Sequence, residues 1–208
     1  MRLPMFPLGM VLVPSAGVPL HVFEPRYRAL VRDCLSGDRE FGVVLIARGS
    51  EVGGADERTD LGAVARIVEA VELPDGRWAL AVVGVRRIRI REWLPDDPYP
   101  VADVEDWPDP SPGPDHEDLL RRVVAQLRRC LALAAEAGDR SAPATIELAG
   151  DPVLAGYQAV VVAPLGPHDQ QRLLGATTPE DRLTQLAGLL SDAIEVLEMR
   201  LGTPGQGY

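Results

Sequence analysis

The sequence predicts an α+β fold: a small, twisted, mostly antiparallel β pseudo-barrel followed by a C-terminal helical bundle docked on it. Three observations predict it. Up to Trp107 the apolar residues come in short runs, some of them alternating, cut by proline and glycine, which is strand patterning. From Leu119 onward they recur at spacings of three and four, which is helical patterning. Between the halves lies Pro108–Asp115, PDPSPGPD, whose prolines and glycine continue neither kind of element. The expected division is therefore residues 1–108 for the β subdomain and 116–201 for the helical one.

The segment Leu3–Cys34 is dense in signals. Pro4, Pro7, Pro14 and Pro19 forbid helix and lack a ladder donor, so the pieces between them read as short or edge strands. Val18–Phe23 is the best of these. Glu24-Pro25 then opens a helix, since proline suits the first helical position and Glu24 sets negative charge at the positive end of the dipole. Tyr27, Leu30, Val31, Cys34 and Leu35 form its apolar stripe, and Ser36-Gly37 stops it.

A strand follows over Glu40–Arg48, then a polar, glycine-bearing loop over Gly49–Asp60. Ala63–Leu73 and Arg77–Val83 flank a Pro-Asp-Gly turn and read as a hairpin, with Gly84 bending the path beyond it. In Val85–Trp93 the alternation puts Ile88 and Ile90 on one face and Arg87, Arg89 and Arg91 on the other, which is expected to be wet or to face a partner. Tyr99–Trp107 supplies a last strand.

In the second half, Asp115 is placed to cap a helix whose apolar face runs from Leu119 to Ala134, with Arg121, Arg122, Arg128 and Arg129 opposite. A short helix is expected over Pro152–Ala163 and another after Pro167. The last opens with a capping-box pattern at Thr178-Pro179-Glu180-Asp181 and repeats Leu183, Leu186, Leu190, Ala193 and Leu197. That stripe could form a coiled-coil seam, but it covers only about two and a half heptads, so packing within a helical bundle is favoured.

The run PMFPLGMVLVPSAGVPLHVFEPRYRALVRD resembles the opening of the Lon protease N-terminal domain, whose usual form is close to PLFPL, an apolar run, then PLHIFEPRYR. The similarity continues through FGVVLI (Phe41–Ile46), Gly62–Leu73 with its Pro-Asp-Gly turn, GVRRIRI (Gly84–Ile90) and YPVADVE (Tyr99–Glu105). The resemblance implies a PUA-like pseudo-barrel followed by helices. It also implies a non-enzymatic module that recognises protein substrates, often unfolded or apolar segments, and serves as an adaptor, chaperone-like binder or regulator of proteolysis. Full-length members of that family carry an ATPase module and a serine–lysine protease module after this domain.

Neither activity has its chemistry here. All 21 basic residues are arginine. A phosphate-binding loop needs a lysine at the β- and γ-phosphates, and the dyad needs an amine that can lose its proton, which guanidinium cannot. The net charge of −10 opposes non-specific attraction to nucleic acid or to an anionic membrane. No apolar run approaches the roughly 20 residues of a bilayer span, and the proline-rich start lacks signal-peptide design, so a cytoplasmic protein is expected. His21, His116 and His168 are far apart without Cys or His neighbours, so no metal and no cofactor are expected. Cys34 and Cys130 lie on apolar stripes and read as buried, reduced thiols.

The candidate substrate-binding residues are the apolar Met5, Phe6, Met10 and Val11, read as exposed, with the alternative that they complete the barrel core. Tyr27, Arg87 and Arg89 join them. An RNA or small-ligand reading requires Arg87 or Arg89 in a pocket beside Tyr27 or Trp78. Arg86, Arg87, Arg89 and Arg91 lack interleaved aromatics, and Glu92, Asp96 and Asp97 follow at once, so a solvated face with local ion pairs is the expected role. His21, Glu24 and Arg26 are read as a polar latch at the strand-to-helix joint, with no nucleophile beside them and no catalytic residue assigned.

Overall fold

A computed structural model describes residues 1–48, 57–140 and 142–202 and divides into two units, Met1–Pro108 and Asp109–Tyr208. The first holds β1 (Arg2–Leu8), β2 (Gly17–Val22), α1 (Pro25–Ser36), β3 (Glu40–Arg48), β4 (Glu57–Glu72), β5 (Trp78–Leu94) and β6 (Val101–Asp106). Strand order is β2-β5-β4-β3-β1-β6, and a further β5–β6 pairing joins β5, β4, β3, β1 and β6 into a closed ring. All pairings are antiparallel except β1 with β3. The ring is the expected pseudo-barrel.

The prolines of β1 show how the ring tolerates them. Residues Arg2–Pro4 pair with β6, while Met5–Leu8 pair with β3. The strand changes partner at Met5, whose amide donates to the Pro100 carbonyl at 2.8 Å. Each half therefore keeps one side without a ladder, and Pro4 and Pro7 need no donor there. They do not mark a sheet edge, as the sequence suggested, but a strand shared between two neighbours.

β5 is one strand of 17 residues, not two pieces bent at Gly84. Its length is what closes the ring: Trp78–Val83 pair with β2 and Ile88–Leu94 with β6. Gly84 has a different task. The turn before β2 crosses it so closely that a Cβ would lie 2.1 Å from the Val13 carbonyl oxygen. Ser15 donates to its carbonyl, and its own amide donates to Ala16. Opposite it a bulge intervenes, with Val64 facing Arg86 and Ala65 facing Gly84. β4 also starts earlier than expected, at Glu57, so Glu57–Asp60 are strand rather than loop. The glycine-rich Gly49–Gly54 stretch lies outside the described residues.

Inside the ring, Leu3, Met5, Val44, Val64, Ile88, Ala102 and Val104 form the core, with Ile90 and Trp93 packed against it. α1 buries the predicted Tyr27, Leu30, Val31 and Cys34. Cys34 and Cys130 are buried and free.

The second unit holds α2 (His116–Glu136), α3 (Pro152–Val162), α4 (Pro167–Leu174) and α5 (Pro179–Gly202). α5 packs on α2, burying Leu183, Leu186, Leu190 and Leu197 as the stripe predicted, with Ile194 added. Asp115 stands at the N-cap of α2 but makes no side-chain cap bond. Thr178 does cap α5, accepting from the Asp181 amide at 3.0 Å, while Asp181 reaches back to the Thr177 amide. Glu180 is thereby free to accept from the Gly113 amide at 2.7 Å and to face the buried His116 ring. Sequence reasoning missed Arg182, which is 1 % exposed. Its guanidinium donates to Asp109 at 2.6 Å, to the Tyr157 hydroxyl at 2.9 Å and to the Leu173 carbonyl at 3.3 Å, and it lies over the Tyr157 ring. This network ties Asp109 of the linker to α3, α4 and α5.

Among the described residues no helix is long and apolar enough to cross a membrane.

Candidate functional site

The segment Val18–Phe23 alternates strictly: Leu20 and Val22 point inward and are buried, while Pro19, His21 and Phe23 are exposed. β2 pairs along its whole length with β5, in the register Gly17 to Val83 through Val22 to Trp78. Among the described residues no strand pairs with its other edge. That edge offers main-chain donors and acceptors to water, interrupted at Pro19, which has none to donate.

Residues of β2 share a cavity of about 180 Å³, lined by Pro19–Glu24 together with Phe6, Leu8, Met10 and Tyr27. Its wall is rigid, because the Phe6 and Tyr27 rings stack with centroids 4.2 Å apart and Phe6 also meets Phe41 at 5.9 Å. α1 presents Tyr27 from its first turn, and Pro25 at the helix start fixes the angle at which it does so. Phe23, 53 % exposed, stands at the rim as a large apolar surface that water must wet. The volume is close to the roughly 150 Å³ of an apolar cavity that accommodates a benzene ring, so the space suits one aromatic or branched aliphatic side chain.

His21 and Glu24 both line this cavity, but no hydrogen bond joins them. Glu24 accepts instead from Arg26 at 3.1 Å, and the Arg26 guanidinium lies 4.5 Å from the Tyr27 ring centroid. The polar joint is thus Glu24–Arg26 stacked on Tyr27. His21 is exposed at the rim.

The structure separates the other candidates. Phe6 belongs to the cavity wall, although it is only 8 % exposed, and Met10 is half-buried at the rim. Met5 is fully buried in the ring core and Val11 is also buried, so neither is the exposed contact the sequence suggested. The hydrophobic pattern alone could not tell an inward side chain from an outward one where the strand changes partner. Arg87 is a second correction: it is 2 % exposed, not on a wet face. Its guanidinium lies 4.1 Å from the Trp107 ring centroid, and its carbonyl accepts from the Trp107 amide. Arg89 covers the same ring at 3.8 Å but remains exposed. Neither arginine lines the Tyr27 cavity, so the pocket that the RNA or small-ligand reading needs is not formed there.

The rest of the arginine cluster is spent on carboxylates. Arg86 donates to Glu40 at 2.8 Å and to Asp106 at 2.9 Å, and Arg91 donates to Glu105. Burial pushes the Glu40 carboxyl up, but hydrogen bonds and charge from Arg86 and Arg66 outweigh it and hold Glu40 below its ordinary range. Among the described residues no group of three or more His, Cys, Asp or Glu side chains is arranged to hold a metal ion.

Sequence reasoning missed Leu8, Leu20 and Phe23. The alternation in Val18–Phe23 carried the signal for the last two, because it sets Phe23 on the face opposite buried Val22.

A family model described as the ATP-dependent protease La (LON) substrate-binding domain matches residues 2–192. The chain is 31% identical over 208 residues to Lon protease 2 of Herpetosiphon aurantiacus, covering 96% of this chain and 25% of that protein. It is 30% identical over 197 residues to the Lon protease of Roseiflexus castenholzii, covering 94% and 24%. The chain thus spans about a quarter of the length of the curated relatives it matches. Among solved structures it is similar to a Lon N-terminal domain protein from Xanthomonas campestris, with TM-score 0.64, 29% identity and coverage of 90% and 98%. The N-terminal domain of the Mycobacterium avium complex Lon protease shares the fold, with TM-score 0.67, 18% identity and coverage of 92% and 99%.

Proposed function

Because the chain belongs to the LON substrate-binding domain family, we propose that it is a non-enzymatic module that holds an extended protein segment along the free edge of β2. One observation carries this reading. The strand with the unpaired edge also lines a cavity sized for a single apolar side chain. Main-chain hydrogen bonds from a strand added at the edge would supply affinity without regard to sequence, and the cavity would select an aromatic or branched side chain at one position. Unfolded segments offer both, since their backbone is unpaired and their apolar residues are uncovered.

A module of this kind acts as an adaptor or regulator of proteolysis by choosing what is delivered. Catalysis finds no support in the site. Glu24 is committed to Arg26 and sits beside a stacked ring, and among the described residues no serine, threonine or cysteine lines the cavity. The 21 arginines leave no lysine in the chain to serve as a base.

The test is an NMR titration with ten-residue peptides carrying one central Phe or Leu among Ser and Gly, beside a Ser-Gly control. Perturbed amides should cluster at Leu20–Glu24 and Phe6–Met10. Phe23→Asp, at an exposed position, should weaken binding about tenfold or more while leaving the fold intact. Methylating alternate peptide amides should also weaken it, because they can no longer join a ladder. Absence of any perturbation at high micromolar peptide, or perturbation confined to other surfaces, refutes the assignment.

A further inference from the structure

The helical unit has a groove that the β2 reading does not use, and we propose that it docks a short amphipathic helix carrying Lys or Arg beside an apolar stripe. The groove measures about 430 Å³ and runs between the α3–α4 connection at Pro164–Gly166 and the outer side of α5. Its floor is apolar, with Leu165, Leu189, Ala193 and Val196 among the lining residues. Val196 is 52 % exposed and Met199, one turn further along α5, is 64 % exposed. Apolar surface of this kind, continuous with an open groove, marks a contact site. Its volume is about three times that of a cavity holding one benzene ring, so it has room for two or three apolar side chains.

Charge selects the occupant. The lining includes Asp139, Asp169, Asp192 and Arg200. Arg200 is spent on Asp139, to which it donates at 2.8 and 3.2 Å. Asp169 and Asp192 make no hydrogen bond or ion pair among the described residues, so two carboxylates face the groove without a cation. An anionic partner is repelled, and a partner with Lys or Arg flanking its apolar residues supplies the missing charges. Shape favours a helix over a compact small molecule. Asp192, Val196 and Met199 recur at intervals of four and three along α5, forming a strip against which the i, i+4, i+7 side chains of a second helix can lie.

The experiment uses the whole chain and a fluorescein-labelled 14-residue peptide of Leu and Lys in an amphipathic helical repeat, with a Leu/Glu peptide of the same apolar pattern as counterpart. Fluorescence anisotropy should show saturable binding of the Leu/Lys peptide and none of the Leu/Glu peptide. Val196→Glu should weaken the Leu/Lys peptide at least about tenfold by setting a charge against its apolar stripe. The Asp169→Asn, Asp192→Asn pair should weaken it about threefold to tenfold and flatten its salt dependence. Phe23→Asp should change nothing, which separates this site from the β2 cavity. All these positions are at least partly exposed, and circular dichroism checks that each variant folds. Equal binding by wild type and Val196→Glu would mean diffuse attraction to the net charge of −10 and overturns the proposal. So does binding of the Leu/Glu peptide, or loss of binding in Phe23→Asp.

Discussion

Met5 and Gly42 face one another across the β1–β3 ladder and should behave as two halves of one packing unit. Met5 is fully buried, so Met5→Ala removes a side chain from the centre of the ring and leaves a cavity, which costs about 3 kcal/mol. Gly42→Ala errs the other way. Its Cβ would lie 2.4 Å from Met5 Sδ, 2.6 Å from Met5 Cε and 3.1 Å from Ile88 Cδ1. The methionine can swing aside because the clash is with the end of a flexible chain, so this overpacking costs about 1 to 2 kcal/mol. The two costs added independently give about 4 to 5 kcal/mol. In the double variant, however, the new methyl has no sulfur to meet and occupies part of the space that Met5 vacated. Its cost should fall to about 2 to 3 kcal/mol, a coupling of about 2 kcal/mol. Urea unfolding followed by tryptophan fluorescence measures all four proteins, with an unchanged m-value confirming that the midpoints report stability. Additive costs would refute the shared-space reasoning. Peptide binding gives a second check: Met5→Ala should leave it unaltered in the folded fraction, and a specific loss there would return Met5 to the binding surface.

Three further outcomes are expected. Arg182→Met takes the guanidinium away from the largely buried Asp109 carboxylate, to which the Tyr157 hydroxyl still donates at 2.6 Å, and should destabilise the helical unit by about 3 kcal/mol, whereas adding Asp109→Asn to it should restore part of that loss; thermal unfolding by circular dichroism decides. Glu40, held below its ordinary range despite its burial, binds its proton less readily folded than unfolded. Its contribution is therefore complete above the unfolded value near 4.5 and is lost as pH falls through the folded one, so Glu40→Gln should be less stable at neutral pH and lose less on acidification, as urea midpoints between pH 6 and 3 would show. Burial, with a smaller push from Asp33, raises the Cys34 thiol to about 12. Iodoacetamide at pH 8 should leave Cys34 unmodified in the native protein and label it quickly in urea, and rapid native labelling at Cys34 would contradict its burial.

The helices were the most legible part of the sequence. Proline at the first position of α1, α3, α4 and α5 and the leucine stripe of α5 are local signals, and a helix satisfies its backbone locally. The strands were harder, because ladder partners lie far along the chain. Gly84 reads as a bend when only its neighbours are considered, yet it is the point where the Val13–Ala16 turn crosses β5 too closely for any Cβ. The candidate site was half legible. Phe6, Met10 and Tyr27 reach the same cavity, but Met5 and Val11 do not. Alternation sorts side chains into two faces without saying which face is inside, and in a closed ring both faces of a strand can be covered.

The sequence by itself determined the class of fold, the helix starts and, through its arginines, the absence of any lysine chemistry in this chain. These follow from composition and from short-range backbone preferences. Only the tertiary structure decided that Arg87 is buried against Trp107, that β1 is shared between two neighbours, and that β2, paired on one edge only among the described residues, lines a cavity. Each of those depends on which distant strand closes the ring, and long-range pairing is fixed by the summed burial of the whole core rather than by any residue's own preference.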